Sequence, residues 1–436
     1  MRKARVSTFV VVTLLALLAG GQLFAVPVRE PGIPRGLSAV DTPAGSAAAR
    51  GYEALAAGRL DDAEAGFLEA ERNDARHVGA LLGLAEVALR RSLPSRASGY
   101  LDRALAAEPE SAAVHVALGR FKLSRGLYAQ AETAYRKALE LDPESFLGFM
   151  GLGDLYLGAM KRPDDAAAAY RGAVGLEPQY GPAHYALGMA LLAGKRRDAA
   201  LEALENAHRF NDGAPVAKHM IGRIHAGEKR FDEALEALGE ALRVKPDFMP
   251  ALYDRADIYA ELRRDADALR DYEQIVKVNP ADAVARLKLG MVYHRTAQLD
   301  NAVAAYRAAL AVNPNLAPAY NNLAMISLGS GGSVSEALSW ARRAVQLAPN
   351  VPQFHDTLGQ AYHASGDIKR AVQALERAVR LEPPQAAIWY RLGLLLEESG
   401  NTDEALAAYR RSLSLGESFE MADDAAARVA TLSGGR

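Results

Sequence analysis

Residues 112–145 read AAVHVALGRFKLSRGLYAQAETAYRKALELDPES, and this stretch decides the fold. Its large apolar residues, among them Leu118, Tyr135 and Leu139, fall at helical spacing and form a stripe that a helix would bury. Pro143 marks the end of the second helix, because proline has no amide hydrogen and cannot continue a helix. The stretch therefore predicts two helices packed antiparallel.

The same pattern recurs along most of the chain. In a 34-residue frame that starts at Ala44, eleven consecutive units fit between residues 44 and 419. Position 8 of the frame is always small: Gly51, Ala85, Gly119, Gly153, Gly188, Gly222, Ala256, Gly290, Ala324, Gly359 and Gly393. Position 20 is alanine in all eleven units. The fourth and ninth units need one extra residue, which we place in the turn between their two helices.

The small residues indicate where the two helices of a unit cross. Only glycine or alanine fits at a close helix crossing, so positions 8 and 20 are expected at that contact. Alanine, leucine, glutamate and arginine dominate the composition, and these residues favour helix. The sequence therefore predicts an all-α solenoid, which grows by stacking units on one another.

Composition excludes several classes of function. The formal net charge is -2, with no basic excess that would favour nucleic acid as a partner. Cysteine is absent, which excludes disulfides, thiolate metal sites and a cysteine nucleophile.

The first 43 residues differ from the rest. Residues 1–25 combine a basic start at Arg2, Lys3 and Arg5 with an apolar run, the layout of a secretory signal peptide. If uncut, the apolar stretch 6–28 is long enough to anchor the chain in a bilayer. Both alternatives export everything that follows, so we expect a periplasmic or otherwise extracytoplasmic protein. Residues 26–43, rich in proline and glycine, predict a linker.

The last residues predict a capping helix and tail over 420–436. Ser418 is a plausible N-cap, and one face would carry Phe419, Ala422, Ala426, Val429 and Leu432. Such a helix would cover the exposed end of the last unit, as the terminal elements of solenoids do.

No constellation in the sequence predicts catalysis, a metal site or a cofactor. The acidic pairs Asp61–Asp62 and Asp164–Asp165 fall at the start of second helices, where carboxylates cap free amides. The histidines are scattered, and three of them share position 4, where they should pack between helices. Glycine-rich 151–153 and 329–332 lack the spacing of a phosphate-binding loop. We therefore expect a protein that is not an enzyme.

The register of small residues, aromatic positions and proline resembles the tetratricopeptide repeat family, and the unit with Trp389, Leu392, Gly393, Ala405 and Tyr409 is close to the family pattern. The resemblance implies a right-handed superhelix whose first helices line a concave, ligand-binding face through positions 2, 5, 9 and 12. In the middle units this concave face consists of Met150, Asp154, Leu157, Tyr185, Met189, Leu192, His219, Arg223, Tyr253, Asp257, Leu287, Met291, His294, Asn321, Met325 and Leu328. Some of these side chains would instead pack against the neighbouring repeat.

An apolar, methionine-bearing face suits an extended or helical segment of another protein. The first functional hypothesis is therefore a scaffold that binds proteins or peptides in the cell envelope, within a secretion or exopolysaccharide assembly. The alternatives are the substrate-recruiting partner of an enzyme such as a glycosyltransferase, and a self-associating spacer. The membrane would be reached only through the N-terminal segment.

Overall fold

The computed structural model describes residues 42–210, 215–381, 385–415 and 421–434. Every regular element within these ranges is a helix. The predicted leader and nearly all of the predicted linker lie outside the described residues, as do Ser418 and Phe419. None of the described helices combines the length and the apolar character that crossing a bilayer requires.

The helices fall into two compact units, and the first ends at Pro246. Its described residues form six antiparallel pairs, each made of a helix A followed by a helix B. In chain order the helices are α1 (Pro43–Ala56), α2 (Leu60–Asn73), α3 (Val78–Arg90), α4 (Pro94–Ala107), α5 (Ala112–Ser124), α6 (Tyr128–Leu141), α7 (Phe146–Asp154, continued by a π-helical turn at Leu155–Ala159), α8 (Pro163–Leu176), α9 (Gly181–Ala193), α10 (Arg197–Arg209), α11 (Pro215–Gly227) and α12 (Phe231–Val244).

The second unit begins at Asp247 and contains five more pairs and a final helix. Its helices are α13 (Met249–Glu261), α14 (Asp265–Val278), α15 (Ala283–Arg295), α16 (Leu299–Val312), α17 (Ala317–Gly329), α18 (Val334–Leu347), α19 (Pro352–Ala364), α20 (Ile368–Val379), α21 (Ala386–Glu398), α22 (Thr402–Ser414) and α23 (Ala422–Gly434).

The predicted all-α fold of paired helices is confirmed. Ten of the eleven helices A begin at position 1 of the 34-residue frame, and α1 begins one residue earlier. The frame predicts these starts because the end of helix B, the following turn and the buried stripe of helix A all recur with it.

Each A–B turn contains one residue with positive φ. Five of these residues are glycines, and the other six carry side chains in a left-handed conformation that most residues avoid. In chain order they are Gly58, Ser92, Gly126, Lys161, Lys195, Lys229, Arg263, Ala297, Gly331, Gly366 and Gly400. The turn therefore has the same backbone geometry whether or not glycine is present.

The extra residue of the fourth pair does not lie in the turn, and that prediction is wrong. α7 ends instead in a π-helical turn, in which the amide of Met160 donates to the carbonyl of Leu155, 3.0 Å away. A π-helical turn holds one more residue than an α-helical turn, so the insertion is absorbed before the turn begins. In the ninth pair the insertion does lie in the turn, since Gly331 keeps its place and helix B starts one residue late at Val334.

The core is organised by one large side chain in most helices B, at position 24. Tyr135, one of these, is fully buried and lies against Gly119 of its own pair and Gly151 of the next. A Cβ atom added at Gly119 would lie 2.6 Å from the Tyr135 ring, closer than real contacts allow. Phe67 makes the same contact with Gly51 and with Gly83. The small residues at position 8 are thus required by the ring that lies against them.

The acidic pairs are structural, but not as amide caps. Asp61 and Asp62 lie inside the first turn of α2, and no side chain caps that helix. Asp61 pairs with Arg91 of the next A–B turn, and Asp164 pairs in the same way with Arg196. A carboxylate in the first helical turn points outward rather than back at the free amides, so it meets the arginine of the following pair.

The three histidines at position 4 also have a structural role. The ring Nε2 of His115, His184 and His355 lies 2.8 to 2.9 Å from the carbonyl of the proline six residues earlier. Each ring thereby ties the start of helix A to the turn that precedes it.

Helix α23 covers the last pair as expected, although its buried face differs by one residue. Ala425 is fully buried, and Val429 and Leu432 pack with it against the core of α21 and α22. Ala426, predicted on this face, is exposed. The face is shifted because Arg428 turns inward to bind Glu397 at 2.8 Å.

The polar side of this contact is a five-residue cluster. The Tyr390 hydroxyl donates to Asp424 at 2.6 Å and the Tyr409 hydroxyl to Glu397 at 2.7 Å, while Arg428 binds both carboxylates. The hydrogen bonds from Tyr390 and Arg428 lower the pKa of Asp424, and those from Tyr409 and Arg428 lower the pKa of Glu397.

Replacing Gly290 with valine should destabilise the α15–α16 pair by about 2 kcal/mol, because the new side chain overlaps the Tyr306 ring. A Cβ atom there would already lie 2.6 Å from that ring. The matched control is Gly239→Val in α12, where nothing lies within 4 Å and the change in helix propensity is under about 0.5 kcal/mol. Chemical denaturation measures the free energy of unfolding of both variants. Equal changes in that free energy would contradict the proposed packing.

Acid should loosen α23. Asp424 and Glu397 have depressed pKa values in the folded chain, so their contribution is present above the ordinary carboxyl range and is lost as the pH falls through the depressed values. Amide hydrogen exchange of residues 422–434 should therefore lose protection between about pH 5 and pH 2, within the window set by such shifts. In Arg428→Gln the protection should already be low at neutral pH. An unchanged pH profile in that variant would show that the cluster does not hold the helix.

Candidate functional site

The candidate site is the set of side chains that helices A carry at positions 5, 9 and 12. The helical repeat brings these positions to one face, and the stacking of pairs sets the faces side by side within each compact unit. The two units are described separately.

In the first unit the predicted residues lie on α7, α9 and α11. Tyr185, Met189 and Leu192 are half-buried and pack together against Met220 and Ile224. This apolar group is continuous in space, as the sequence predicts, yet part of each side chain is used to hold α9 against α11.

The other residues of this face divide between buried and exposed. Met150 and His219 are buried, Leu157 and Arg223 are half-buried, and Asp154 is exposed. Position 5 therefore contributes mainly to packing between pairs, and position 9 is the more accessible position of the face.

Asp154 is held by a side chain that the sequence analysis did not connect with the site. The Tyr170 hydroxyl, which comes from helix B, donates to its carboxylate at 2.7 Å. Burial and the neighbouring carboxylate raise the pKa of Tyr170, so the phenol stays protonated and remains a donor. The position-24 tyrosine thus packs the core with its ring and reaches the face of helices A with its hydroxyl.

The second unit repeats this arrangement at Asp257. Its carboxylate accepts a hydrogen bond from the Tyr272 hydroxyl and pairs with the Lys288 ammonium at 2.6 and 2.7 Å. Tyr253 is tied down as well, since its hydroxyl donates to Asp282 at 2.7 Å. Lys288 was not predicted as a site residue. Its position 6 falls outside the four inward positions, and only the structure shows that its long side chain reaches the carboxylate.

The most open part of the face is formed by α15 and α17, which contact each other. Met291 is 50% exposed and Met325 is 46% exposed, unusually high values for large apolar side chains. Leu328 and His294 are half-buried beside them, and burial lowers the pKa of His294, so its ring is neutral at pH 7. Leu287 and Asn321 lie underneath and are buried.

Hydrogen bonds fix the polar residues at this place. The Asn322 side-chain amide donates to the Tyr306 hydroxyl at 3.1 Å, and the Asn321 amide lies 3.4 Å from the sulfur of Met325. The accessible surface is therefore the two thioether side chains, while the asparagines form its base.

The geometry of these positions offers a surface that can bind another molecule. Within the described ranges no three histidine, aspartate or glutamate side chains converge as metal ligands would. The carboxylates of Asp154 and Asp257 each accept a hydrogen bond from a tyrosine hydroxyl, and burial of its carboxyl raises the pKa of Asp154.

Comparison with known proteins identifies the repeat. The model of the family described as tetratricopeptide repeat matches residues 48–112, 90–146, 150–215, 219–283, 253–317, 295–352 and 357–418. A comparison with curated protein sequences finds no match.

Several solved structures are similar in fold. A tetratricopeptide repeat protein from Parabacteroides merdae is 19% identical with a TM-score of 0.45, and the match covers 58% of this chain and 99% of that one. The Cut9–Hcn1 hetero-tetramer of the APC/C is 14% identical with a TM-score of 0.44, over 89% and 96%. Yeast Tom70 is 14% identical with a TM-score of 0.40, over 91% and 96%.

These structural likenesses are too distant to carry an argument about function. The seven matched segments span most of the chain and agree with the eleven helix pairs observed. The chain therefore belongs to the tetratricopeptide repeat family.

Proposed function

We propose that this protein is a non-enzymatic scaffold of the bacterial cell envelope, which holds partner proteins against the face formed by its helices A. Repeats of this family support protein–protein interaction, and the single observation that carries the proposal here is the exposed pair Met291 and Met325 on adjacent helices. Large apolar side chains left open on a folded surface usually mark a contact with another protein.

The chemistry of this surface favours an apolar partner segment. Methionine side chains are flexible and polarizable, so they adapt to partners of different shape. Val284 on α15 is also exposed, and it extends the apolar surface toward the start of that helix. A segment with two or three apolar side chains would bury all three residues.

The envelope location rests on the N-terminal sequence. Its basic start and apolar run are typical of an export signal, cleaved or retained as an anchor. Cell fractionation, with determination of the N-terminus of the mature protein, tests this part alone. A chain found only in the cytoplasm would overturn the location and leave the binding surface untouched.

The partner is sought by crosslinking in an envelope fraction, followed by purification of the chain with its bound material. Capture of distinct partner proteins supports the scaffold. Contacts with further copies of this chain alone would favour a self-associating spacer, and capture of a glycosyltransferase or similar enzyme would favour a recruiting subunit.

Once a partner is captured, Met291→Gln with Met325→Gln should weaken its binding at least about ten-fold, because two apolar anchors are lost from the contact. The fold should be unaffected, since both side chains are exposed. The control is Val278→Gln with Val312→Gln, which removes two apolar side chains, 40% and 41% exposed, from the ends of helices B in the same unit. Titration calorimetry measures the affinity of both double variants for the captured partner. If the two affinities are equal, the methionine pair does not lie in the contact.

A second double variant changes the half-buried residues Tyr185 and Met189, and its effect on binding must be separated from an effect on folding. Tyr185→Ala with Met189→Ala should also weaken capture if the partner reaches the first unit. Because these side chains pack against α11, the comparison needs a check that the variant remains folded.

A further inference from the structure

The A–B turns of the first unit carry mostly positive charge. These turns are residues 57–59, 91–93, 125–127, 160–162, 194–196 and 228–230. They contain one carboxylate, Glu228, against nine cations: Arg59, Arg91, Arg125, Lys161, Arg162, Lys195, Arg196, Lys229 and Arg230. Because all the pairs are antiparallel and stack in the same sense, the six turns lie along one edge of the unit, here called the basic edge.

The opposite edge carries the opposite charge. Four B–A turns of the same unit are completely described, at residues 74–77, 108–111, 142–145 and 177–180. They contain one cation, Arg76, against six carboxylates: Asp74, Glu108, Glu110, Asp142, Glu144 and Glu177. Within the turns themselves, the first unit therefore carries cations on one edge and carboxylates on the other. The first turns of helices B add seven carboxylates beside the basic edge: Asp61, Asp62, Asp164, Asp165, Asp198, Asp232 and Glu233.

Some cations of the basic edge are already paired. Arg91, Arg162 and Arg196 bind carboxylates in the first turns of helices B. The ion pairs of Arg91 and Arg196 join successive helix pairs, that of Arg162 lies within its own pair, and all three neutralise part of the charge.

Four cations in consecutive turns remain available. Arg125, Lys161, Lys195 and Lys229 are exposed, and none of their side chains has a hydrogen bond or ion pair with any residue in the described ranges. The three lysines occupy the positive-φ position at the tip of the turn. Three successive turns therefore place a lysine without a side-chain partner at a backbone position that favours glycine. Folding alone does not require lysine there.

Apolar side chains lie on the same edge. Leu93, Leu127 and Tyr128 are 38%, 43% and 43% exposed, in the second and third turns. This combination of apolar and cationic side chains is typical of surfaces that bind at the interface of a bilayer. There the apolar groups reach the acyl boundary and the cations meet lipid phosphates.

We propose that the basic edge of the first unit docks on the surface of an anionic phospholipid bilayer. The tips of successive turns lie side by side, so their cations can meet the same surface, and the acidic turns then face away from the negative membrane. The exposed leucines and tyrosine favour lipid over an acidic protein, which would need the cations only. Each Lys or Arg near such a surface contributes about 1 kcal/mol, a factor of about five in binding.

The test measures partition of the full chain onto phosphatidylcholine vesicles with and without phosphatidylserine, by cosedimentation. The N-terminal segment is the same in all variants, so its contribution cancels. Arg125→Gln, Lys161→Gln and Lys195→Gln combined should lower partition onto the anionic vesicles about 100-fold, as three factors of five imply. The binding of the unaltered chain should weaken as salt is added.

The matched control is Arg72→Gln, Arg171→Gln and Lys245→Gln. These residues also lie in the first unit, are exposed and have no partner in the described ranges, but they belong to helices B and a B–A turn. The control changes the net charge equally and should lower partition only a few-fold. Equal losses in the two triple variants would overturn the proposal, since only the total charge would then matter.

A second variant tests the apolar contribution. Leu127→Ser with Tyr128→Ser keeps every charge and should lower partition onto anionic vesicles about ten-fold or more, because two apolar groups no longer enter the interface. Binding to soluble poly-glutamate tests the alternative that the basic edge binds an acidic protein. If the chain binds poly-glutamate and shows no preference for anionic over neutral vesicles, the basic edge serves an acidic protein and the proposal fails.

Discussion

The structure depends on the contact between one large side chain of helix B and the small residues of two helices A. Tyr135 illustrates it, with its ring against Gly119 of its own pair and Gly151 of the next. One side chain thus sets the distance within a pair and the distance between pairs. Leucine takes the same place in four pairs, and Leu204, Leu238 and Leu375 lie against the glycine at position 8 of their own pair. The 34-residue period is the spacing at which this contact recurs.

The sequence predicts this architecture well, because both helices that form the contact carry a recurring pattern of small residues. Glycine or alanine at position 8 and alanine at position 20 set the register, and helix starts follow from it to within one residue. The candidate site is less predictable. Position 5 (Met150, Asn321) is buried while position 9 (Met291, Met325) is open. This difference depends on how the neighbouring pair packs, and the sequence pattern does not separate the two positions. The hydroxyl of Tyr170 reaching Asp154 is likewise invisible from spacing, since the two residues belong to different helices.

The helix-A face and the turns of the first unit carry different groups. The carboxylates of the helix-A face are bound by tyrosines or a lysine, so that face presents mostly apolar groups. The turns of the first unit, by contrast, present free cations and a few exposed apolar side chains on one edge and carboxylates on the other. A repeat fold allows this separation because side chains on the faces and on the edges contribute little to the core, and each can change without moving the contact that sets the stacking.

The π-helical turn at the end of α7 bears on how such a chain can change its length. One additional residue between Leu155 and Ala159 is taken up as a local bulge, and α8 still meets Gly153 with Tyr170 at the usual place. The gain of a single codon at the C-terminal end of α7 is therefore tolerated without shifting the repeats that follow. Divergence among repeats need not proceed by substitution alone, and a lineage can test new turn lengths one pair at a time while the rest of the array stays intact.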